Sequence, residues 1–158
     1  MTRIGIGYDI HALEKGRPLI LGGVRIPHSK GLSGHSDGDV LFHAIVDALL
    51  GAAGEGDIGG HFPSQDPRYK GADSRFFMKK AKEILKRRRF KIVNIDSVVL
   101  AEAPNLGPYK EKLRSSIAAA LGAPVSGVSV KAKTNEGFGA VGRKQAIACY
   151  AVAGIEEI

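Results

Sequence analysis

Cysteine is nearly absent: Cys149 is the only one among 158 residues, so no intrachain disulfide can form and the fold must rest on its core. Its neighbours, Ala146-Ile147-Ala148 and Tyr150-Ala151-Val152-Ala153, mark it as a small hydrophobe within an apolar strand. Long apolar runs are missing too. Nothing resembles a membrane span or the h-region of a secretory signal, and the expectation is a cytoplasmic protein with no membrane partner. Aromatic residues make up only 6 % of the chain. They do not interleave with the basic run Lys79, Lys80, Lys82, Lys86, Arg87, Arg88, Arg89 and Lys91, which therefore reads as a solvated helix face with no specific nucleic-acid partner. Internal repeats are absent as well. The length suits one domain, residues 1–158, with a continuous core that needs no structural metal. The formal charge of +7 is concentrated in the basic run, and the balance can steer a small polyanion toward the protein.

The stretch His35-Ser36-Asp37-Gly38-Asp39-Val40-Leu41-Phe42-His43, continuing to Leu50, organises the rest. Ser36 and Asp39 before an apolar run are a helix-start signal, because their oxygens can satisfy unpaired backbone N–H groups. Leu41, Ala44, Ile45, Ala48 and Leu49 recur at helical spacing as a buried stripe, and Gly54 supplies the stop. His43 then sits in the first turns of the helix. Upstream, Arg3-Ile4-Gly5-Ile6-Gly7-Tyr8-Asp9-Ile10-His11 alternates as a strand, with Ile4, Ile6, Tyr8 and Ile10 on one face and Asp9 and His11 on the other. A carboxylate and an imidazole two residues apart can converge on one ion. With His43 they make an Asp/His/His set that suits zinc and leaves a fourth position open. An open position implies chemistry.

Pro18-Leu19-Ile20-Leu21 and Val24-Arg25-Ile26 flank Gly22-Gly23 as a structural hairpin. The polar segment 27–37 delivers His35 and Ser36 to the helix start, where N–H groups and a hydroxyl suit a phosphate oxygen. Residues 54–73 show neither periodicity and are rich in Gly, Asp and Pro, which points to a substrate lid. A helix capped by Asp73 runs from Ser74 to about Arg88, burying Phe77, Ala81, Ile84 and Leu85. A strand over Val93–Ala101 ends in Ala101-Glu102-Ala103-Pro104-Asn105-Leu106, a turn that is either a plain connection or a base-recognising edge. Pro108 opens a third helix that ends at Gly122. Val128–Lys133 forms a strand leading into Thr134-Asn135-Glu136-Gly137, and the run Gln145–Ile155 forms a last, central strand. The expected fold is α+β: one mixed β-sheet covered by helices on one side.

Taken together, Gly7-Tyr8-Asp9-Ile10-His11, His35-Ser36-Asp37-Gly38-Asp39 through His43, Asp47-Ala48-Leu49-Leu50-Gly51, Gly56-Asp57-Ile58-Gly59, Phe62-Pro63, Lys70-Gly71-Ala72-Asp73-Ser74 and Asn135-Glu136-Gly137 stand in a familiar order. The chain resembles the 2-C-methyl-D-erythritol 2,4-cyclodiphosphate synthases over essentially its whole length. The resemblance implies an enzyme of the non-mevalonate isoprenoid pathway. Its reaction converts 4-diphosphocytidyl-2-C-methyl-D-erythritol 2-phosphate into 2-C-methyl-D-erythritol 2,4-cyclodiphosphate and CMP, the 2-phosphate attacking the β-phosphorus of the same molecule. It also implies a homotrimer whose active sites lie between subunits.

By the same resemblance, zinc or another divalent metal is held by Asp9, His11 and His43, and Glu136 coordinates Mg2+ or Mn2+ bridging the substrate diphosphate. His35 and Thr134 stabilise the transition state. Asp9, His11, His35, Ser36 and Asp57-Ile58-Gly59, with Phe62-Pro63-Ser64-Gln65-Asp66, contact the substrate. Ala101-Glu102-Ala103-Pro104-Asn105-Leu106 and Lys133-Thr134-Asn135-Glu136 hold its CDP portion. Arg143 corresponds to an arginine that, in some relatives, borders an axial cavity for isoprenoid diphosphates. Asp39, one turn before His43, is a candidate for orienting that histidine. Departures from the family pattern fall at Ala140, usually aromatic, at Lys144-Gln145-Ala146 in place of Gly-Glu-Gly, at Ser64 in place of an acid and at Asn105 in place of a base. None touches the metal ligands. A basic nucleic-acid binder and a metal-stabilised trimeric module without activity are the rival readings.

Overall fold

The terminal apolar run lies at the middle of the sheet, where an apolar strand is covered on both edges by hydrogen-bonded neighbours. The computed structural model describes all of residues 1–158. In chain order the elements are β1 (Thr2–Lys15), β2 (Leu19–Leu21), β3 (Val24–Ile26), β4 (Lys30–Leu32), α1 (Val40–Ala53), α2 (Ile58–His61) and α3 (Arg75–Arg87). They continue with β5 (Phe90–Leu100), α4 (Lys110–Leu121), β6 (Val128–Lys133), α5 (Gly139–Gly142) and β7 (Ala146–Glu157). The five-stranded sheet has the order β4-β1-β7-β5-β6, and β2 and β3 form a separate hairpin. Only β5 and β6 run parallel, so the sheet is mixed as expected.

Helix α1 packs on the sheet through two glycines of β1. A Cβ on Gly5 would lie 2.0 Å from the Ala48 carbonyl oxygen, and one on Gly7 would lie 1.9 Å from that of Ala44. Strand and helix backbones therefore touch, and only glycine permits that approach. The helix is buried more fully than its one-sided stripe suggested. Val40, Phe42, Val46, Leu50, Ala52 and Ala53 join the five predicted positions in the core, because the helix is covered by α3 as well as by the sheet. Its only residues short of full burial are His43, Asp47 and Gly51, one line at four-residue spacing. Of these, His43 lines the cleft described below and Asp47 accepts from Ile58 N in its wall.

Ile4, Ile6, Tyr8 and Ile10 do share a face of β1, and it is the face away from the helices. Ile4 is 74 % exposed and Ile6 69 %, with Tyr8, Tyr150 and Val152 beside them and the Tyr8 and Tyr150 rings 4.6 Å apart. Helices cover one side of the sheet only. The hairpin turns at Gly22 (φ 55°) and Gly23 (φ 70°), the positive dihedrals that a two-residue turn demands. Gly122 closes α4 in the left-handed conformation, as its position after the apolar stripe predicts.

Two sequence expectations need correction. Ser74, not Asp73, occupies the cap position of α3, and Asp73 instead accepts from the Arg75 backbone N–H. Residues 54–73 are not a free lid: they contain α2 and a turn of 3₁₀-helix at Pro67–Tyr69. Asp57 caps α2 by accepting from Gly60 N, and Asp47 of α1 accepts from Ile58 N at 2.7 Å. Phe62 inserts among Tyr69, Phe76 and Phe77, with ring centroids 5.1–6.0 Å apart. These anchors come from residues remote in sequence, so local periodicity could not reveal them. The basic run is the outer face of α3 and its exit. Acid partners accompany it, in the pairs Lys80–Glu83, Arg88–Glu55 and Lys91–Glu156, as a solvated face requires.

Candidate active site and metal centre

Strand alternation and helix spacing bring three donor groups to one point. Asp9 and His11 leave β1 on the side of α1, and His43 leaves the first turns of α1 toward them. Asp9 Oδ2 lies 2.8 Å from His11 Nε2 and 3.1 Å from His43 Nδ1, and the two nitrogens are 3.4 Å apart. A tetrahedral zinc ion with ordinary bond lengths holds its ligands about 3.3 Å from one another. The three atoms thus fit three corners of such a site.

Hydrogen bonding assigns the lone pairs. His11 Nδ1 donates to the Ser33 carbonyl, which can only accept, so Nε2 is left bare and faces Asp9. One carboxylate oxygen and two imidazole nitrogens then converge with no proton of their own between them. That cluster attracts positive charge. Burial alone would raise the Asp9 carboxyl, but the neighbouring imidazoles of His11 and His43, which can take up a proton beside it, outweigh burial and bring the group down to about 2. Burial disfavours the His11 cation, yet the hydrogen bond and charge of Asp9 prevail and raise that histidine above its ordinary value. A divalent metal would compete with protons for the same point.

The triad lies in a cleft of about 470 Å³. His35 and Ser36 from the loop before α1, Ile58 and Gly59 of α2, and Phe62-Pro63-Ser64-Gln65 line it, all of them residues expected to contact the substrate. Asp57 stands at the start of α2 next to this wall. Asp66 contributes its carbonyl, which accepts from His35 Nε2 at 3.3 Å, while Arg68 holds the Asp66 carboxyl below the usual carboxylate range. Tyr69 and Phe77 also line the cleft and were not anticipated. Their aromatic character gave the only hint, and aromatic residues on a helix stripe read equally as core.

The remaining predicted residues gather elsewhere. Ala101 N donates to the Lys133 carbonyl, Asn135 N donates to the Glu102 carboxylate at 3.0 Å, and Thr134 Oγ1 donates to Glu136 at 3.2 Å. Residues 101–106 and 133–136 therefore form one surface at the ends of β5 and β6. Asn105 braces it by accepting from Gly107 N. Arg143 lies just after α5 and bonds to Gln145, and Ala140 packs on a small cluster of Val141, Ala146 and Ala148. None of these residues lines the triad cleft. Across the sheet Asp9 is level with Cys149, then Val99, then Ala132. Three strand spacings make that separation about 14 Å.

Asp39 does not orient His43. Its carboxylate accepts from Gly22 N, Gly23 N and Phe42 N, so it ties the hairpin turn to the start of α1. Complete burial pushes its carboxyl up to about 6 against those three bonds. The partners of His43 Nε2 are the hydroxyls of Ser74 at 2.8 Å and Ser36 at 3.2 Å. Sequence reasoning gave Ser74 no role, since 31 residues separate it from His43 and no local pattern links them.

Comparison with known proteins follows the same lines. The model of the YgbB family matches residues 2–156. The protein named 2-C-methyl-D-erythritol 2,4-cyclodiphosphate synthase in Chloroherpeton thalassium is 55 % identical over 156 residues, covering 99 % of each chain. Among solved structures, the bifunctional IspDF of Campylobacter jejuni matches with 39 % identity and a TM-score of 0.96 over all of this chain, which spans 43 % of that longer protein. The CDP complex of IspF from Plasmodium falciparum matches with 36 % identity and a TM-score of 0.86, over 99 % of this chain and 96 % of that one. With Asp9, His11 and His43 gathered where the sequence pattern required, this chain belongs to the YgbB family, that of the 2-C-methyl-D-erythritol 2,4-cyclodiphosphate synthases.

Proposed function

We propose that the chain, as one synthase domain over residues 1–158, converts 4-diphosphocytidyl-2-C-methyl-D-erythritol 2-phosphate into 2-C-methyl-D-erythritol 2,4-cyclodiphosphate and CMP. The convergence of Asp9, His11 and His43 beneath a cleft is the observation that carries this reading. The β-phosphorus already bears negative charge and is approached by a second phosphate, so the protein must neutralise and align both rather than supply a nucleophile. Zinc at the triad and Mg2+ or Mn2+ near Glu136 supply Lewis-acid charge neutralisation at the diphosphate when bound.

The chain's own residues do the positioning. Ser36, at the cleft edge, turns its hydroxyl proton to the methylerythritol phosphate. Asp57 and residues 58–66 bound the methylerythritol portion, and the wall they form is fixed by Asp47 and Phe62. His35 at the rim and Thr134 on the β6 side donate toward the phosphoryl oxygens as negative charge redistributes. Residues 101–106 and 133–136 receive the cytidine diphosphate portion, a role supported by the CDP bound in the IspF complex of Plasmodium falciparum.

The triad on β1 and the β6 end of the second surface stand about 14 Å apart across one sheet, too far for a single diphosphate to bridge. A homotrimer that sets one subunit's triad against the next subunit's β5–β6 edge resolves the distance. The uncovered face of Ile4, Ile6, Tyr8, Ile10, Tyr150 and Val152 supports it, because a contiguous apolar face of this kind calls for a partner. Arg143 offers a cation to an anionic ligand at that assembly. With Cys149 buried and no disulfide possible, the chain suits the reducing cytoplasm.

The test is incubation of the purified protein with the cytidyl substrate, zinc and magnesium, with phosphorus NMR and chromatography of the products. Equal amounts of CMP and cyclodiphosphate are expected. Metal uptake without any CMP would instead support a binding module.

A further inference from the structure

We infer that Asp37 and Ser74 form a hydrogen-bonded relay that holds the proton of His43 on Nε2 and thereby presents Nδ1 as a bare metal-ligating nitrogen. Both are positioning residues. The inference rests on reading the triad as a metal site, and it assigns the second-sphere partner of its one helical ligand.

Proton counting along the relay leaves one solution. Ser74 Oγ lies 2.5 Å from Asp37 Oδ1 and 2.8 Å from His43 Nε2. A serine hydroxyl has one proton, and a carboxylate has none to give. Ser74 therefore donates to Asp37, and its oxygen accepts from His43, whose Nε2 must carry the hydrogen. The opposite nitrogen, Nδ1, is then a lone pair aimed at Asp9 and His11. His11 reaches the same condition by another route, through the Ser33 carbonyl. Each histidine has its own fixed acceptor, and the two have opposite ring nitrogens free.

Three further observations show that the relay is built for this purpose. Ser74 is fully buried, so water does not compete for its hydroxyl. It occupies the cap position of α3, where a serine ordinarily accepts from the helix's own N–H groups, yet its side chain makes no capping bond. Its hydroxyl is committed to His43 and Asp37 alone. Asp37 is in turn held by backbone: Oδ2 accepts from Ser74 N at 2.9 Å, Oδ1 accepts from Asp39 N at 3.0 Å, and Asp37 N donates to the Ala72 carbonyl at 3.1 Å. The carboxylate has no freedom to swing away. With Ser74 taking the shorter bond, Ser36 at 3.2 Å is left free to turn its own proton to a phosphate oxygen.

The relay also joins elements. His43 lies on α1, Asp37 precedes that helix, and Ser74 closes the 54–73 segment where it enters α3. The same two side chains thus tie the end of the 54–73 segment to the loop before α1 and orient a metal ligand.

Nitrogen-15 NMR of metal-free wild type, at a pH where both rings are neutral, reads the tautomer directly. His43 protonated on Nε2 is expected, and protonation on Nδ1 would overturn the relay without recourse to any variant. Zinc affinity is then measured by chelator competition on wild type, Ser74→Ala and Ser74→Thr. Ser74→Ala is expected to weaken zinc binding by about 10–100-fold and to mix the His43 tautomers, whereas Ser74→Thr, which keeps the hydroxyl, stays within about threefold of wild type. Wild-type zinc affinity with an unmixed tautomer in Ser74→Ala would overturn the inference. Failure of wild type itself to bind zinc would overturn the metal-site reading instead, so the two failures are distinguishable.

Discussion

At the scale of single residues, the site separates into groups that bind charge and groups that aim them. His43 belongs to the first. Removing its ring leaves Asp9 and His11 with two donor atoms in place of three, and two donors hold zinc poorly. His43→Ala is expected to lower zinc content, measured by elemental analysis, from about one per chain to below about a tenth and turnover by about a thousandfold or more. Full zinc occupancy in that variant would disprove the ligand set. Glu136 is separated from the triad by the width of the sheet, so its carboxylate can be neutralised without disturbing zinc. Glu136→Gln is expected to keep the triad metal but lower kcat/KM by about 100-fold at limiting magnesium, and an unchanged magnesium dependence would contradict its role. The contrast between Asp37 and Asp39 belongs here as well. Two acids in one short motif have different tasks, one fixing a histidine through Ser74 and the other fixing a hairpin turn and a helix start.

At the scale of elements, the pairing of β1 with α1 determines whether the triad forms. Gly5 and Gly7 admit the helix backbone, and the same alternation that turns these glycines toward α1 turns Asp9 and His11 toward His43. A methyl at Gly7 would meet the Ala44 carbonyl, one residue from the metal ligand on the helix, and neither backbone can yield cheaply. Gly7→Ala is expected to cost about 3 kcal/mol of stability in denaturant unfolding and to weaken zinc binding along with it. Unaltered stability would show that helix and strand can slide apart. Alternation in β1 gives Gly5 and Gly7 no evident purpose, since the reason for them lies in a helix more than 35 residues away. The hairpin was different: Gly22-Gly23 between short apolar runs carries its own turn geometry, and the structure shows the expected turn.

At the scale of the whole molecule, one chain holds the triad cleft, a separate surface at the ends of β5 and β6, and an uncovered apolar face. A charge placed on that face costs little in an isolated subunit, because Ile6 is already open to water, but it is costly when buried against a partner. Ile6→Asp is expected to give a folded monomer, seen by sedimentation and circular dichroism, that keeps its zinc and loses nearly all turnover. A monomer with wild-type activity would show that a single chain completes the site. No helix is long and apolar enough to cross a membrane.

Read alone, the sequence determined the mixed α+β architecture, the central position of the last strand, the hairpin turn and the three triad residues. Each rests on a short-range rule: alternation in a strand, spacing in a helix, or the dihedral freedom of two glycines. Tertiary structure decided what those rules do not reach. It turned the isoleucines of β1 outward because glycines, not large apolar groups, face the helix. It gave Asp39 to the hairpin and Ser74 to His43, because hydrogen bonds join whatever the chain brings within 3 Å, however far apart in sequence. It also parted the β5–β6 surface from the triad by the strands that run between them, a distance set by sheet order, which periodicity along one strand does not encode.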